Sequence, residues 1–216
     1  MQEAFGVTIP RNLDDVCNPR EMALIVYDMQ VGIVRQVPKG AEVVVRVKEV
    51  LELARSSGMR IFFLRYMSLP RELMGSFQYR MAMAWQRVDR ADQVQPWFLR
   101  DSPSFQIVPE LTPRASEAIF DRITMSAFEG TPLSIALRDC GVRAVAIAGL
   151  AMEVGIEPTA RHAADLGFIP VIVADACGAG HAEAARRSLA GLEFTGDAII
   201  TDIAAVRSRL VPGRSP

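Results

Sequence analysis

A chain of 216 residues, half of them hydrophobic, has material for one domain with a substantial core. Its 24 Lys and Arg balance 25 Asp and Glu to a net charge of −1 with no basic run, which gives no footprint for nucleic acid or an anionic membrane. No apolar stretch reaches the roughly 18–20 residues of a membrane span, and the three dispersed cysteines (Cys17, Cys140, Cys177) argue against a disulfide framework or zinc site and fit a reducing cytoplasm.

Residues 1–20 read as an N-terminal extension without a basic-then-apolar secretory pattern. Met22 to Asp28 is an apolar run ending in a carboxylate, the mark of a strand buried on both faces. Ala41 to Ser57 spaces Val44, Val47, Leu51 and Ala54 as a helix, stopped by Gly58. Arg60 to Tyr66 is the second strand. Residues 67–113, rich in Met and Pro and holding both tryptophans, read as an irregular insertion with short helices.

Ala118 to Arg122 is the third strand. Thr131 caps a helix with Pro132 at its first position and Gly141 after its end. Ala144 to Ala148 is the fourth strand, followed by a helix that runs to Leu166. Ile169 to Ala174 is the fifth strand, His181 to Ala190 a helix, Ala198 to Thr201 the sixth strand, and Ile203 to Leu210 the last helix. Val211 to Pro216 reads as a frayed tail.

Strands alternating with helices predict a single-domain, three-layer α/β/α fold with a six-stranded, mainly parallel sheet. Ligands in such folds sit at the carboxyl ends of the strands. That rule selects Asp28, Tyr66, Arg122 and the loop Gly149 to Gly155. A GxGxxG after the first strand is absent, which argues against a dinucleotide site. Pro158 fits only the first turn of a helix, so the helix starts near Gly155 to Glu157 and leaves the N–H groups of Val154 to Ile156 as donors for a developing negative charge.

The segments Tyr27-Asp28-Met29-Gln30, Ser126-Ala127-Phe128 and Gly149 through Gly180 resemble those of the isochorismatase-like hydrolases. The resemblance runs from about Ala23 to Asp202 and places Gly155 where most members carry a catalytic cysteine. It implies that Asp28 is catalytic, that Arg122 replaces the usual lysine, and that Leu150–Ala151 is a non-proline cis peptide. It also implies a homo-oligomer acting on a small-molecule substrate, with no cofactor. The metal motif of the nicotinamidase branch is replaced here by Tyr66-Met-Ser-Leu-Pro70, so no metal is expected.

In the amidase branch a cysteine attacks the carbonyl, a route that Gly155 closes. In the branch that hydrolyses the vinyl ether of isochorismate the same position is glycine, and the aspartate protonates carbon as a general acid. Gly155 fits that branch and leaves room for substrate. The expectation is a cysteine-independent hydrolase of a small, carboxylate-bearing molecule. Asp28 serves as acid or base, Arg122 holds the substrate's charge or pairs with Asp28, and Gly155 completes the catalytic corner.

Leu150, Ala151, Glu153, Ile156, Tyr66, Phe128 and Trp85 are the expected substrate contacts, Glu153 as a carboxylate able to orient water. Cys177 and Glu157 read as structural, and His181 as a helix cap. The alternatives are a non-catalytic small-molecule binder, an amidohydrolase with a rearranged nucleophile, and a scaffold acting through the Met-rich 67–83 segment.

Overall fold

The computed structural model describes residues 2–210; the tail expected to fray at 211–216 lies outside the described residues. The N-terminal extension forms a small antiparallel hairpin, β1 (Gln2–Ala4) and β2 (Val7–Ile9), then the one-turn α1 (Leu13–Val16), whose first turn is capped by Asn12. The main body continues with β3 (Met22–Tyr27), α2 (Val31–Gln36), α3 (Gly40–Ser56) and β4 (Arg60–Tyr66). The insertion holds several 3₁₀ turns and one 11-residue helix, α4 (Ser76–Gln86), longer than the short helices expected there.

Next come β5 (Ala118–Arg122), α5 (Leu133–Asp139), β6 (Ala144–Gly149), a π-helical turn (Met152–Ile156) and α6 (Glu157–Asp165). The chain closes with β7 (Ile169–Cys177), α7 (Ala182–Thr195), β8 (Ile199–Thr201) and α8 (Ile203–Leu210). Several boundaries differ from expectation, three of them instructively. Pro132 is the N-cap rather than the first helical residue, with the Thr131 hydroxyl accepting from the Leu133 amide. β7 runs on to Cys177. α7 runs past its expected end at Ala190 to Thr195, where Gly196 stops it in the left-handed conformation at φ +72°.

The six main strands form one sheet in the order β5-β4-β3-β6-β7-β8, and every pairing is parallel. β3 shows why the sequence folds this way. Met22, Leu24 and Val26 point to the layer of α3 and α8, while Ala23, Ile25 and Tyr27 point to the layer of α5, α6 and α7. Both faces are covered, so an uninterrupted apolar run is what the strand needs. The chain builds outward from β3 in one direction and from β6 in the other. The switch point lies between them, where a crevice opens beyond the carboxyl ends. Among the described residues, no helix is long and apolar enough to cross a membrane.

Candidate active site

The crevice is floored by the ends of β3, β4 and β6. Register places Tyr27 beside Leu64 and Gly149, and Tyr66 beside Arg122, so one layer of the sheet presents the residues that strand-end reasoning selects. A cavity of about 350 Å³ opens there, lined by Asp28, Tyr66, Trp85, Leu150, Ala151, Glu153 and Gly155 among others. A larger groove, about 840 Å³, lies at the opposite end of the sheet around the starts of β7 and β8. Chemistry, not volume, separates the two. Of the side-chain oxygens that are buried without a hydrogen-bond partner among the described residues, two belong to carboxylates, Asp28 Oδ1 and Glu153 Oε2, and both residues line the smaller cavity. A desolvated carboxylate oxygen without a partner is costly, and such atoms collect where ligands bind.

Asp28 follows β3 directly, in the left-handed region at φ +50°, a conformation that aspartate tolerates better than most side chains. Its Oδ2 accepts from Arg122 Nη2 at 2.7 Å. Burial pushes its carboxyl up to about 6, against the pull of the Arg122 guanidinium. Desolvation therefore wins over the permanent cation, and Asp28 can hold a proton near neutral pH.

The Arg122 side chain is 0% exposed, donates also to the Thr124 carbonyl, and lies over the Tyr27 ring at 4.3 Å. It does not line the cavity. Of the two roles expected for Arg122, the ion pair with Asp28 is the one present and the clamp on substrate charge is not, because strand register aims it along the sheet end. Arg122→Gln should cost about 3–5 kcal/mol, since it strands a buried carboxylate. Without the cation, the Asp28 carboxyl rises further. A raised carboxyl favours folding below its unfolded pKa and loses that contribution as pH rises through the folded one. Urea titrations should accordingly show a deficit larger at pH 7 than at pH 5.

Three further expectations change. Gly155 lines the cavity, but an added Cβ would lie 2.2 Å from the Tyr27 hydroxyl oxygen and 2.5 Å from its ring carbons. The space that the glycine was expected to leave for substrate is filled by Tyr27, which is 1% exposed and donates to the Met125 carbonyl. Burial pushes its phenol far above the ordinary range, so it holds its proton.

The N–H groups of Val154, Gly155 and Ile156 are not free either. The helical turn begins at Met152, and all three converge on the Ala151 carbonyl at 3.1–3.2 Å. Among the described residues the N–H of Ala151, which belongs to the preceding Leu150–Ala151 peptide, has no hydrogen-bond partner. Leu150–Ala151 is cis, as the resemblance implied. Gly149 must be glycine: its φ is +137°, and a Cβ there would meet the Tyr27 carbonyl oxygen at 2.0 Å.

Tyr66, Trp85, Leu150, Ala151 and Glu153 line the cavity. Phe128 and Ile156 do not. Phe128, in the loop between β5 and α5, stacks on Phe168 at 5.7 Å, and the helical turn after Gly149 rotates the fully buried Ile156 inward, both into the α5–α6–α7 layer. Cys177 is a half-buried thiol pushed up to about 12 by burial, and Glu157 is tied to Arg161 and Ser188. His181 caps α7 by accepting from the Ala184 amide. These three play the structural roles expected of them.

The sequence reading passed over two residues. Tyr27 was one more apolar strand residue. Gln30 is fully buried and fully bonded: its amide bridges the Tyr66 amide and carbonyl and the Phe105 carbonyl, pinning the exit of β3 to the end of β4 and to the insertion. A glutamine two residues after a strand-end aspartate was the available signal.

A family model described as the isochorismatase domain matches residues 22–204. The chain belongs to the isochorismatase family. This isochorismatase-family chain is 30% identical over 183 residues to the isochorismatase family protein YecD of Escherichia coli O157:H7, covering 80% of this chain and 87% of that protein. It is 27% identical to the ureidoacrylate amidohydrolase RutB of Klebsiella pneumoniae strain 342, over 87% of this chain and 86% of that one. A cysteine hydrolase from Pseudomonas syringae pv. phaseolicola shares the fold, with a TM-score of 0.75 at 23% identity over 89% and 93% of the two chains. An isochorismatase family protein from Burkholderia thailandensis has a TM-score of 0.72 at 25% identity, over 90% and 97%. The family is one of hydrolases, and the fold is shared across it.

Proposed function

We propose that this isochorismatase-family hydrolase adds water to a small molecule without a covalent enzyme intermediate, with Asp28 as the proton carrier. One observation carries the reading. At the cavity floor Asp28 keeps one oxygen on Arg122 and the other without a partner, while the phenol of Tyr27 fills the place a side chain at 155 would need. A nucleophilic residue at 155 is sterically excluded, so water is the nucleophile.

For a vinyl ether, protonated Asp28 delivers its proton to the terminal vinyl carbon. Water then adds to the oxocarbenium-like carbon and returns a proton to the Asp28 carboxylate, and the hemiketal collapses to a ketone as its hydroxyl proton passes to the departing alcohol oxygen. As the hemiketal collapses, the N–H of Ala151, unpartnered among the described residues and on a residue lining the cavity, would steady the negative charge on the departing oxygen. Support for a nitrogen-containing substrate instead comes from the named amidohydrolase relative. Incubation with isochorismate and with a panel of small amides, read by mass spectrometry, distinguishes them. Pyruvate release supports the vinyl-ether branch and ammonia release the amide branch. Thermal stabilisation by a panel member with no product from any of them would overturn catalysis in favour of a binder.

A further inference from the structure

α4 forms one wall of the candidate catalytic cavity, through Ala84, Trp85 and the Arg87 that follows it. It belongs to an excursion of the chain that is closed at its base. There the Ser68 amide donates to the Phe98 carbonyl at 2.9 Å, and the Phe98 amide donates to the Ser68 hydroxyl at 3.3 Å. Beyond that base, the side-chain hydrogen bonds of α4 stay inside the excursion among the described residues. The Tyr79 hydroxyl donates to the Arg71 carbonyl, and the Gln86 amide pairs with the backbone of Gln95. The first turn of α4 has no side-chain cap, and Arg87 ends the helix in the left-handed region at φ +53°.

Apolar packing holds α4 only lightly. Met81 lies half-buried against the cluster of Tyr66, Phe98 and Phe105. Trp85 meets Tyr66 edge-on at 5.7 Å and stays 40% exposed. Among the described residues of α4, Gln78 alone is buried, at 6% exposure, and neither its Oε1 nor its Nε2 has a partner. The cavity of about 20 Å³ beside it has room for about one water. One water cannot complete the hydrogen bonds that a carboxamide makes through two N–H groups and two lone pairs. Seating α4 therefore desolvates an amide at a cost. Swinging it outward rehydrates that amide and gives up two partly exposed apolar contacts. A segment held by such opposed terms is one that opens locally.

Resting on the reading of this cavity as the substrate site, we propose that α4 is a gate over it and that the buried amide of Gln78 sets the gate's balance. α4 opens to admit a ligand, and apolar ligand surface lying against Trp85 and Tyr66 draws it shut.

Hydrogen exchange of the intact protein, read by mass spectrometry, tests this with no substrate present. Peptides from α4 should exchange at least about tenfold faster than peptides from α3 and α6, whose apolar faces are buried. Gln78→Met keeps the shape and the helix propensity while removing the amide. It should slow exchange in α4 by about tenfold, leave α3 and α6 unchanged and not lower the melting temperature. Acrylamide quenching of the tryptophan fluorescence should fall in the same variant, as Trp85 withdraws from solvent.

Protection of α4 equal to that of α6 in the parent would overturn the gate. Unchanged or faster exchange of α4 in Gln78→Met, or a lower melting temperature, would mean that the seated amide is fully satisfied and would overturn the inference as well. The acid–base reading fails by a different result, undiminished turnover in Asp28→Asn, so the two can fall separately.

Discussion

Gly155→Ala is expected to destabilise the protein, although local propensity argues the other way. Gly155 lies in a helical turn, where alanine is favoured by about 1 kcal/mol. The new methyl, however, would sit 2.2 Å from the Tyr27 hydroxyl oxygen, and the ring cannot step aside. It is buried in the sheet, its hydroxyl is bonded to Met125, and the Arg122 guanidinium covers one face. Overpacking of this kind reaches about 3 kcal/mol or more, so a net loss of about 2 kcal/mol should appear in urea unfolding.

The decisive measurement is the double-mutant cycle with Tyr27→Leu, which is itself destabilising because it opens a cavity. In that background Gly155→Ala should cost nothing or recover stability, giving a coupling of about 2 kcal/mol. Additive losses would mean that the collision is relieved elsewhere. Gly155→Cys in the Tyr27→Leu background should likewise present a thiol that reacts with an aromatic disulfide reagent, whereas Gly155→Cys alone should not yield a stable folded protein.

That interlock also marks the limit of what the sequence discloses. The six strands and the position of Asp28 are legible because each strand is a short apolar run with sharp punctuation, and because Asp28 ends one of them. The corner Gly149 to Gly155 is legible from its glycines and from Pro158. What Gly155 faces is not, since Tyr27 lies far away along the chain and reads only as another core residue of an alternating strand.

The same kind of contact hid the true state of Arg122. Spacing places it at a strand end, but only the register of β4 and β5 decides that it turns back to Asp28. Ile156 goes to the core because one residue of helical rotation separates cavity from core, and Phe128 because the loop after β5 folds it against His162 and Phe168. The hairpin β1–β2 and the full length of α4 carry weak local patterns, and tertiary context settles both.

Asp28→Asn should lower turnover by about two to four orders of magnitude on whichever panel compound is hydrolysed. The amide keeps the volume and an oxygen for Arg122 Nη2 but cannot give up a proton. It also leaves the buried guanidinium without a counter-charge, so the variant must first be shown folded by circular dichroism at the assay temperature.

The pH profile then assigns the role. Burial, opposed by Arg122, holds the Asp28 carboxyl at about 6 in the folded protein. As general acid, Asp28 is competent when protonated, so kcat/KM should be flat well below pH 6 and fall about tenfold per unit well above it. The folding term runs in the same direction: a carboxyl raised by burial stabilises the folded state most below its unfolded value and loses that contribution as pH rises through about 6. A stability curve recorded alongside the rates is therefore needed to subtract unfolding from inactivation. A limb that climbs through pH 6 would instead make Asp28 the base that activates water, the assignment an amide substrate requires. Full activity in Asp28→Asn at every pH would remove Asp28 from the reaction altogether.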